Sequence, residues 1–536
     1  MPKSNASKTK TSQKKATPHR NFDIRWLITV VLFAIVTVVA ILINPNHIVN
    51  DTNKLTGTID IDNGDLDINW NHYPTTDVEL TESLQIVKPG IYHLTGSLED
   101  GSVSIDAIGD GVVKLILDNV NIKNSSGSAI ACDNASDLII EVVGQNTLED
   151  GESYINNSDE DAKGVIYSKS DLTFTGSGTL NIFANHEDGI ISKDDLKFNG
   201  GIYNINSTDD AIRGKDSVYI VDGIFNLDAK ADAIKSTNEN TSGKGFVLVE
   251  NGVFNITASA KGIKAINSIL IYGGDFTIDS YDDSIHSNHY VGIIGGYFKI
   301  TSSDDGIHAD RELIVDGGNI DILKGYEGIE SQKVTINGGN LSINSLDDGI
   351  NAGGGNDNSA KNRPGAGIFD VDENCEIIIN GGNIAINASG DGIDSNGAIY
   401  FNGGKTLVNG PTDNGNSALD AGTEAYVMGG EVVAAGSSGM AVALSSSSSV
   451  FNLNIFLSAN QPADTSIEIK DSTNQTIISY TSPKVFSHLA IGSEKFIPGE
   501  TYTIFKNGEK YQEFTISNVT TTVGNNMNNF RNHFRR

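Results

Sequence analysis

A short signature, an acidic residue followed by a small residue and isoleucine, recurs through the centre of the chain at nearly constant spacing. One copy is Asp305-Gly306-Ile307, and from Ile190 to Ile393 the isoleucines are 22, 22, 29, 22, 22, 22, 21 and 43 residues apart. Polar inserts at 236–245 and 353–374 account for the two long intervals. Because a unit this short can bury its apolar side only against neighbouring copies, the repeat indicates a solenoid.

Two further apolar columns keep the same spacing, so each coil carries three short apolar segments separated by Gly, Asn or Asp turns. The second column is Phe198, Ile220, Val249, Ile271, Ile293, Val315, Ile336, Ile379 and Phe401, and the third is Ile205, Leu227, Ile256, Ile278, Ile300, Ile322, Ile343 and Ile386. Apolar and polar residues alternate within segments, which is the period of a β-strand. Glycine pairs such as Gly317-Gly318 suit turns with positive φ.

Three strands in each coil predict an all-β fold, a right-handed parallel β-helix over residues 76–445. A sandwich or a propeller would need longer strands or a period near 40 residues. Weaker coils such as Ser417-Ala418-Leu419 extend the repeat. Residues 446–520 predict a small antiparallel β unit with a hairpin turn at 506–509, which would cover the open end of the solenoid. A disordered basic tail is expected over 521–536.

The N-terminus predicts a membrane anchor. Residues 26–43 are 18 consecutive residues without a charge, and residues 1–25 carry seven Lys or Arg against one Asp. The apolar run reaches the lower length limit of a spanning helix, and the positive-inside rule places the basic side in the cytoplasm. We therefore expect a cytoplasmic tail (1–25), a transmembrane anchor (26–44), a linker (45–75) and an extracellular β-helix in a single-pass protein of the cell membrane. A cleaved signal peptide is the alternative, but no small-residue cleavage site follows the run.

Charge and cysteine content narrow the partners. The formal net charge of −31 argues against nucleic acid and favours cations, or polymers bridged by cations. The two cysteines, Cys132 and Cys375, would lie many coils apart, beyond the reach of a disulfide, so both are expected to be reduced. A monomer is expected.

The residue two before each isoleucine forms an acidic column that predicts Ca²⁺ binding. Its members are Asp188, Asp210, Asp232, Asp283, Asp305, Glu327, Asp348 and Asp391, with Asp209, Asp282, Asp304 and Asp347 immediately before four of them. Carboxylates stacked about 4.8 Å apart repel one another, and calcium with its oxygen ligands would offset that repulsion. Alternatively, the acids only form turns and accept backbone N–H groups. Lys261 interrupts the column and predicts a structural ion pair.

The residue after each isoleucine is expected to point outward, since the isoleucine points inward. This outer column predicts a polysaccharide-binding face, and an ordinary solvated strand face is the alternative. Its candidate ligands are Arg213, Lys235, Lys264, His286, His308, Glu330, Asn351 and Asp394. His286 and His308 could instead bind a transition metal. Tyr281 and Tyr326 are candidate platforms for sugar rings, or ordinary exposed aromatics.

The D-D-G-I coils, the paired-glycine turns and the segment 479–505 resemble the bacterial carbohydrate-binding domain family of surface β-helix proteins. The resemblance covers roughly residues 76–520 and implies a pectate-lyase-like fold, Ca²⁺, and binding of cellulose or acidic polysaccharides such as polygalacturonate. A non-catalytic, Ca²⁺-dependent polysaccharide-binding protein is therefore expected. The alternatives are a Ca²⁺-dependent lyase, with Arg213 or Lys235 as base, and a structural adhesin or cell-wall spacer.

Overall fold

The computed structural model describes residues 68–107, 111–154, 163–353 and 371–524. The predicted tail (1–25), anchor (26–44), most of the linker (45–75) and the last residues of the basic tail lie outside the described residues. In the described stretches the helical element is the short 3₁₀ turn Trp70–His72, and no helix there has the length and apolar character needed to span a bilayer.

The described chain is an all-β solenoid of about 14 coils, which confirms the β-helix architecture. Each strand pairs in parallel with its equivalents in the preceding and following coils, so the strands line up as three sheets, numbered 1 to 3 in chain order within a coil. Solenoid strands run from Thr75 to Gly436, close to the predicted limits. The right-handed winding stays a prediction.

The strand bounds are as follows. Sheet 1, which begins at the acidic turns, contains Leu84–Ile86, Val103–Asp106, Ile130–Asn134, Gly164–Ser168, Asp188–Ser192, Ile212–Gly214, Ile234–Ser236, Ile263–Ala265, Ile285–Ser287, Ile350–Ala352, Ile393–Ser395 and Leu419–Ala421. Sheet 2 contains Thr75–Leu80, Val113–Asp118, Asp137–Val143, Asp171–Gly176, Phe246–Val249, Ser268–Ile271, Tyr290–Ile293, Glu376–Ile379, Ala398–Phe401 and Ala425–Val427. Sheet 3 contains Asn121–Asn124, Gln145–Asp150, Thr179–Ala184, Val253–Ala258, Asp275–Ser280, Tyr297–Ser302, Asn319–Gly325, Asn340–Ser345, Asn383–Ala388, Lys405–Asn409 and Glu431–Gly436.

Five longer strands turn a corner and join neighbouring sheets. Three run from sheet 2 into sheet 3: Gly90–Leu98, Asp195–Ser207 and Ser217–Ala229. Two run from sheet 1 into sheet 2: Ile307–Val315 and Ile329–Ile336. Because of them, the three sheets form one continuous hydrogen-bonded network.

The core consists of like residues stacked on like. All three predicted apolar columns are in register from coil to coil and buried, as in the pairings of Ile285 with Ile263 and Ile307. Sheet 3 adds a buried column of phenylalanine rings. Phe225, Phe254, Phe276 and Phe298 stack nearly parallel, with successive ring centroids 5.0, 4.4 and 4.7 Å apart. The 22-residue period thus places the large apolar side chains of these buried columns against their equivalents in neighbouring coils.

The paired glycines form the corner between sheets 2 and 3. The second glycine of each pair has positive φ, as predicted, with 110° at Gly274, 109° at Gly296 and 93° at Gly318. A Cβ on Gly318 would lie 2.9 Å from the carbonyl oxygen of Gly296 in the preceding coil. These positions need glycine for both conformation and space.

The C-terminal unit covers the end of the solenoid. Strand Phe486–Ser493 pairs antiparallel with the last strand of sheet 3 and with Asn452–Gln461. A separate four-stranded antiparallel sheet contains Ser466–Lys470, Thr476–Thr481, Thr501–Lys506 and Glu509–Thr515. The unit is not wholly antiparallel, because Thr520–Val523 pairs in parallel with Asn452–Gln461. The unit occupies the sheet edge that the last coil would otherwise leave open.

Two local predictions are also confirmed. Lys506 pairs with Glu509 across a two-residue hairpin whose Asn507 and Gly508 both have positive φ. Cys132 and Cys375 are both free and buried.

We expect Phe254→Ala to lower the free energy of unfolding by about 3–5 kcal/mol, because it opens a cavity inside a continuous ring stack. Phe183→Ala is the matched control, since Phe183 lies on the outer side of sheet 3 and is 42% exposed; it should change stability by no more than about 0.5 kcal/mol. Denaturant unfolding measures both. Equal effects of the two substitutions would contradict the stacked-core account.

Candidate functional site

Seven of the eight acids in the predicted metal column, all except Glu327, accept a backbone N–H of the next coil. Asp188 Oδ1 accepts the N–H of Asp210 at 3.0 Å, and Asp210 Oδ1 accepts that of Asp232 at 3.0 Å. The same bond recurs from Asp232, Asp283, Asp305, Asp348 and Asp391 to the following coil. The alternative reading, carboxylates that cap backbone N–H groups, therefore holds for one oxygen of each of these aspartates. The second oxygen is the one available to a cation.

At the N-terminal end of the column, basic side chains of the outer column bind that second oxygen. Arg213 Nη2 lies 2.8 Å from Asp188 Oδ2. Lys235 Nζ lies 3.1 Å from Asp210 Oδ2 and 2.9 Å from Asp232 Oδ2. Burial alone would lower the pKa of Lys235, but the charges of these two acids raise it to about 12. Lys235 is therefore protonated and neutralises part of the column.

Lys261 supplies a third cation to the column. Its buried ammonium lies 2.8 Å from Asp282 Oδ1 and 2.8 Å from Asp283 Oδ2, so the predicted ion pair forms with the following coil. Burial opposes ionisation of Asp283, but the hydrogen bond from His286 and the charge of Lys261 hold its pKa well below the usual range. Lys264 is more distant, with Nζ 3.8 Å from Asp232 Oδ2.

The two histidines of the outer column stack on each other, with ring centroids 4.8 Å apart. His286 Nδ1 lies 2.8 Å from Asp283 Oδ2, and His308 Nδ1 lies 3.1 Å from Asp305 Oδ2. Burial lowers the pKa of His308, but its hydrogen bonds with Asp305, Asp310 and Glu330 raise it far above the usual range. Ligand-type atoms of Asp283, His286 and His308 lie within 4.8 Å of one another, so the transition-metal alternative keeps a plausible donor set.

The predicted outward exposure of the outer column was wrong for four residues: His286, His308, Glu330 and Asn351 are all buried. The cause is the neighbouring acidic column, whose carboxylates bind these polar side chains at the corner; Asn351 Nδ2, for example, donates to Glu327 Oε2 at 2.7 Å. A saccharide could not reach these four side chains in this arrangement. Arg213, Lys235, Lys264 and Asp394 are partly exposed.

At the C-terminal end the outer column changes from basic to acidic. Burial raises the pKa of Asp348 well above its usual range, and the charges of Asp394 and Asp391 raise it further. Burial also raises the pKa of Asp391 to about 7, with a contribution from the charge of Asp420. In the part of the chain that the structure describes, no basic side chain forms an ion pair with Asp348 or Asp391. The negative charge of these two acids is therefore less compensated than that of the acids at the N-terminal end of the column.

Some of the four acids that immediately precede members of the acidic column form clusters with those members. Oxygens of Asp188, Asp209 and Asp210 lie within 4.8 Å of one another, and so do those of Asp282, Asp283 and Asp304. Asp347 accepts a hydrogen bond from the hydroxyl of Tyr326, which raises the pKa of that tyrosine. Of the two predicted sugar platforms, Tyr326 is thus engaged within the protein, whereas Tyr281 is 75% exposed at a corner.

Two groups of acids were missed by the sequence analysis. Asp420 pairs in register with Asp394, one coil beyond the last signature used, and the Ser417-Ala418-Leu419 coil was the signal for it. Asp171, Asp194 and Asp195 have oxygens within 4.8 Å of one another at the corner between sheets 1 and 2. Burial, followed by the charges of neighbouring acids, raises the pKa of Asp194 to about 6. The recurring K-S-D-L and K-D-D-L at 169–172 and 193–196 were the signal there.

Comparison with known proteins gives three similarities. Residues 81–349 match a protein family described as carbohydrate-binding domain-containing protein, which is half of the chain. A protein of that description from Acetivibrio thermocellus is 36% identical over 122 residues, 22% of this chain and 43% of the relative, so the chain spans less than half of that relative's length. A solved structure described as the polysaccharide lyase-like protein from C. thermocellum, in a gadolinium derivative, is 26% identical and covers 45% of this chain and 96% of that one, with a TM-score of 0.38.

We expect Lys261→Met to destabilise the protein by about 3–5 kcal/mol, because it removes a cation from two acids, one of them fully buried. Lys264→Met is the matched control, because Lys264 lies in the same coil, directly after Ile263, and is more exposed. It should lower the free energy of unfolding by less than about 1 kcal/mol. Chemical denaturation at neutral pH measures both. A Lys261 variant no less stable than the control would contradict a structural role for this ion pair.

The metal-free protein should lose stability as the pH rises through the range in which Asp391 titrates in the folded state. The pKa of Asp391 is about 7 when folded, and an unfolded aspartate titrates near ~3.9. Between these values the native state binds more protons, so the free energy of unfolding falls as pH rises from about 4 through 7. Denaturation at pH 5 and pH 8 in EDTA should show a smaller difference for Asp391→Asn than for the unchanged chain. An unchanged difference would contradict this assignment.

Proposed function

The chain belongs to the carbohydrate-binding domain-containing protein family, and from this we propose that it is a non-catalytic polysaccharide-binding protein. The observation that carries the proposal is the family match over residues 81–349, which spans solenoid coils from near the first strand to Gly349. We propose acidic or cellulosic glycans as the ligands. The predicted anchor at 26–44 would hold the solenoid at the outer face of the cell membrane.

We further propose that binding depends on Ca²⁺, held at the C-terminal end of the acidic column. Asp348 and Asp391 each use one oxygen for a backbone N–H and have a second carboxylate oxygen, and Asp394 and Asp420 add acidic charge beside them. Oxygen donors of this kind suit a hard cation such as Ca²⁺. When bound, calcium would offset the mutual repulsion of these acids and could link them to an acidic glycan.

The N-terminal part of the column is a poorer metal site. Arg213 and Lys235 already occupy the second oxygens of Asp188, Asp210 and Asp232. A divalent cation there would have to displace charged side chains at close contact. We therefore restrict the calcium proposal to the acidic end and do not extend it to every coil.

The lyase alternative is less well supported by the same contacts. A lyase needs a side chain that removes a proton, and that side chain must be deprotonated at the working pH. Lys235 has its pKa raised to about 12, and the guanidinium of Arg213 is paired with Asp188. Lys235 is held in its charged form and Arg213 is engaged in an ion pair, which favours binding without chemistry.

The test is retention of the full-length protein, in a detergent without a sugar headgroup, on immobilised polygalacturonate and on cellulose. We expect retention in Ca²⁺, release by EDTA, and no new absorbance from unsaturated uronate ends. A double variant, Asp348→Asn with Asp391→Asn, should be retained at least about tenfold less in Ca²⁺. Asp279→Asn, which changes an exposed acid on sheet 3, is the control and should behave as the unchanged chain.

The other results separate the alternatives. Unsaturated products would support a lyase. Retention that EDTA does not change would remove calcium but keep the binding function. Absence of retention on both polymers would contradict the proposed function and favour an adhesin or spacer.

A further inference from the structure

An open groove lies on the outer side of sheet 3, away from the acidic column. Its volume is about 560 Å³, and its walls come from four successive strands. Tyr297 stands in this groove and is 64% exposed. In the strand register Tyr297 lies between Asp275 of the preceding coil and Asn319 of the next, and Lys299 lies between Thr277 and Asp321. A ring and a set of polar tips therefore converge in one concavity, as in many ligand sites.

Four polar side chains of the groove are available to a ligand, whereas Asn319 and Asn340, which also line it, are joined by an amide hydrogen bond of 2.9 Å. Among the described residues, Asp275, Tyr297, Lys299 and Asp321 have no side-chain hydrogen bond or ion pair to one another or to any neighbour. Elsewhere on sheet 3, asparagine side chains instead donate hydrogen bonds to their equivalents in the preceding coil. The groove is thus a place where the outer surface leaves donors, acceptors and a ring face free together.

One column of sheet 3 contains both kinds of polar side chain, those that hydrogen-bond to one another and those without partners. Asn204 Nδ2 donates to Asn181 Oδ1 at 2.8 Å, Asn226 to Asn204 at 2.8 Å, and Asn255 to Asn226 at 2.9 Å. In the next coils the column continues as Thr277, Lys299 and Asp321, and this amide ladder ends. In this column, the asparagines that hydrogen-bond to one another are replaced by unpaired side chains at the coil where the groove begins.

An apolar strip leads into the groove from the N-terminal side. Val253 and Ile224 occupy the same column as Tyr297 in the preceding coils and are 40% and 39% exposed. Val253 lies beside Asp275 at the edge of the groove, and with Ile224 it forms a small exposed apolar surface that suits a partner with apolar faces of its own. The C–H faces of pyranose rings are such surfaces, and an aromatic ring with a polar tip suits that mixed chemistry.

We propose that this groove is a glycan subsite, that Tyr297 stacks on a sugar ring, and that it prefers a neutral, hydroxyl-rich polysaccharide running across the coils. The inference rests on the proposed polysaccharide-binding function and gives it a location and a ligand class. Asp275 and Asp321 would accept hydrogen bonds from sugar hydroxyls, and Lys299 would donate them.

The negative charge of the groove favours neutral glycans over acidic ones. The groove contains two carboxylates, Asp275 and Asp321, against the single ammonium of Lys299. The whole chain is also strongly acidic, with 68 Asp and Glu against 37 Lys and Arg. A polyuronate would bring repeated negative charge to this surface and be repelled, whereas a neutral chain meets no such penalty. The outer column of sheet 1, where a polysaccharide-binding face was predicted, does not contribute to this groove.

The experiment compares full-length Tyr297→Ala with the unchanged chain by affinity electrophoresis in gels that contain hydroxyethyl cellulose, xylan or polygalacturonate, with Ca²⁺ present. We expect Tyr297→Ala to weaken binding to a neutral polymer about fivefold to tenfold and to leave binding to polygalacturonate unchanged. Phe183→Ala, which removes an exposed ring on the same sheet outside the groove, is the control and should retain full affinity. Thermal unfolding checks that both variants fold.

Each remaining result has a definite meaning. If the unchanged chain binds a neutral polymer and Tyr297→Ala binds it equally well, the groove is not the subsite, although the proposed function stands. If the unchanged chain binds only polygalacturonate, the neutral-glycan inference is overturned while polysaccharide binding is kept. If the unchanged chain binds none of the three polymers, both the inference and the proposed function fail.

Discussion

Every residue of a coil lies about 4.8 Å from its equivalent in the next coil, and the whole structure depends on which side chains tolerate that contact. Isoleucines and phenylalanines gain from it because they pack face to face, and asparagines gain because each amide can donate to the one before. Carboxylates lose, since stacking brings equal charges together. The solenoid is therefore stable only where the chain supplies something to compensate its acidic turns.

The groups that offset the negative charge of the acidic column differ from one end of the solenoid to the other. Towards the N-terminal end, one oxygen of each aspartate accepts a backbone N–H and the other contacts a basic group such as Arg213 or Lys235. In the middle, the stacked His286 and His308 contact the second oxygens of Asp283 and Asp305. Towards the C-terminal end, Asp394 and Asp420 replace those bases, so repulsion increases where the described fold provides fewest cations. The same turn thus has a structural role in one coil and suits a cation in another.

The period of the sequence was sufficient to predict most of the fold. It correctly assigned the three apolar columns, the positive-φ glycines and the hairpin at 506–509, because each follows from local pattern and spacing. It could not predict that His308 and Glu330 are buried, since alternation says which way a side chain leaves the strand but not what lies at the adjacent corner. Nor could spacing reveal the groove at Tyr297, because the period does not show at which coil the asparagine column through Asn255 gives way to other side chains.

The two long inserts carry a further consequence. Ile234 pairs in register with Ile263 across one insert, and Ile350 pairs with Ile393 across the other, so the extra residues leave the strand alignment intact. A corner can therefore accept added residues, and in the same way a complete coil could be added or lost without moving the side chains of its neighbours. The molecule is adjustable in length, in steps of about 4.8 Å per coil, so the distance it reaches can change independently of the surfaces it displays.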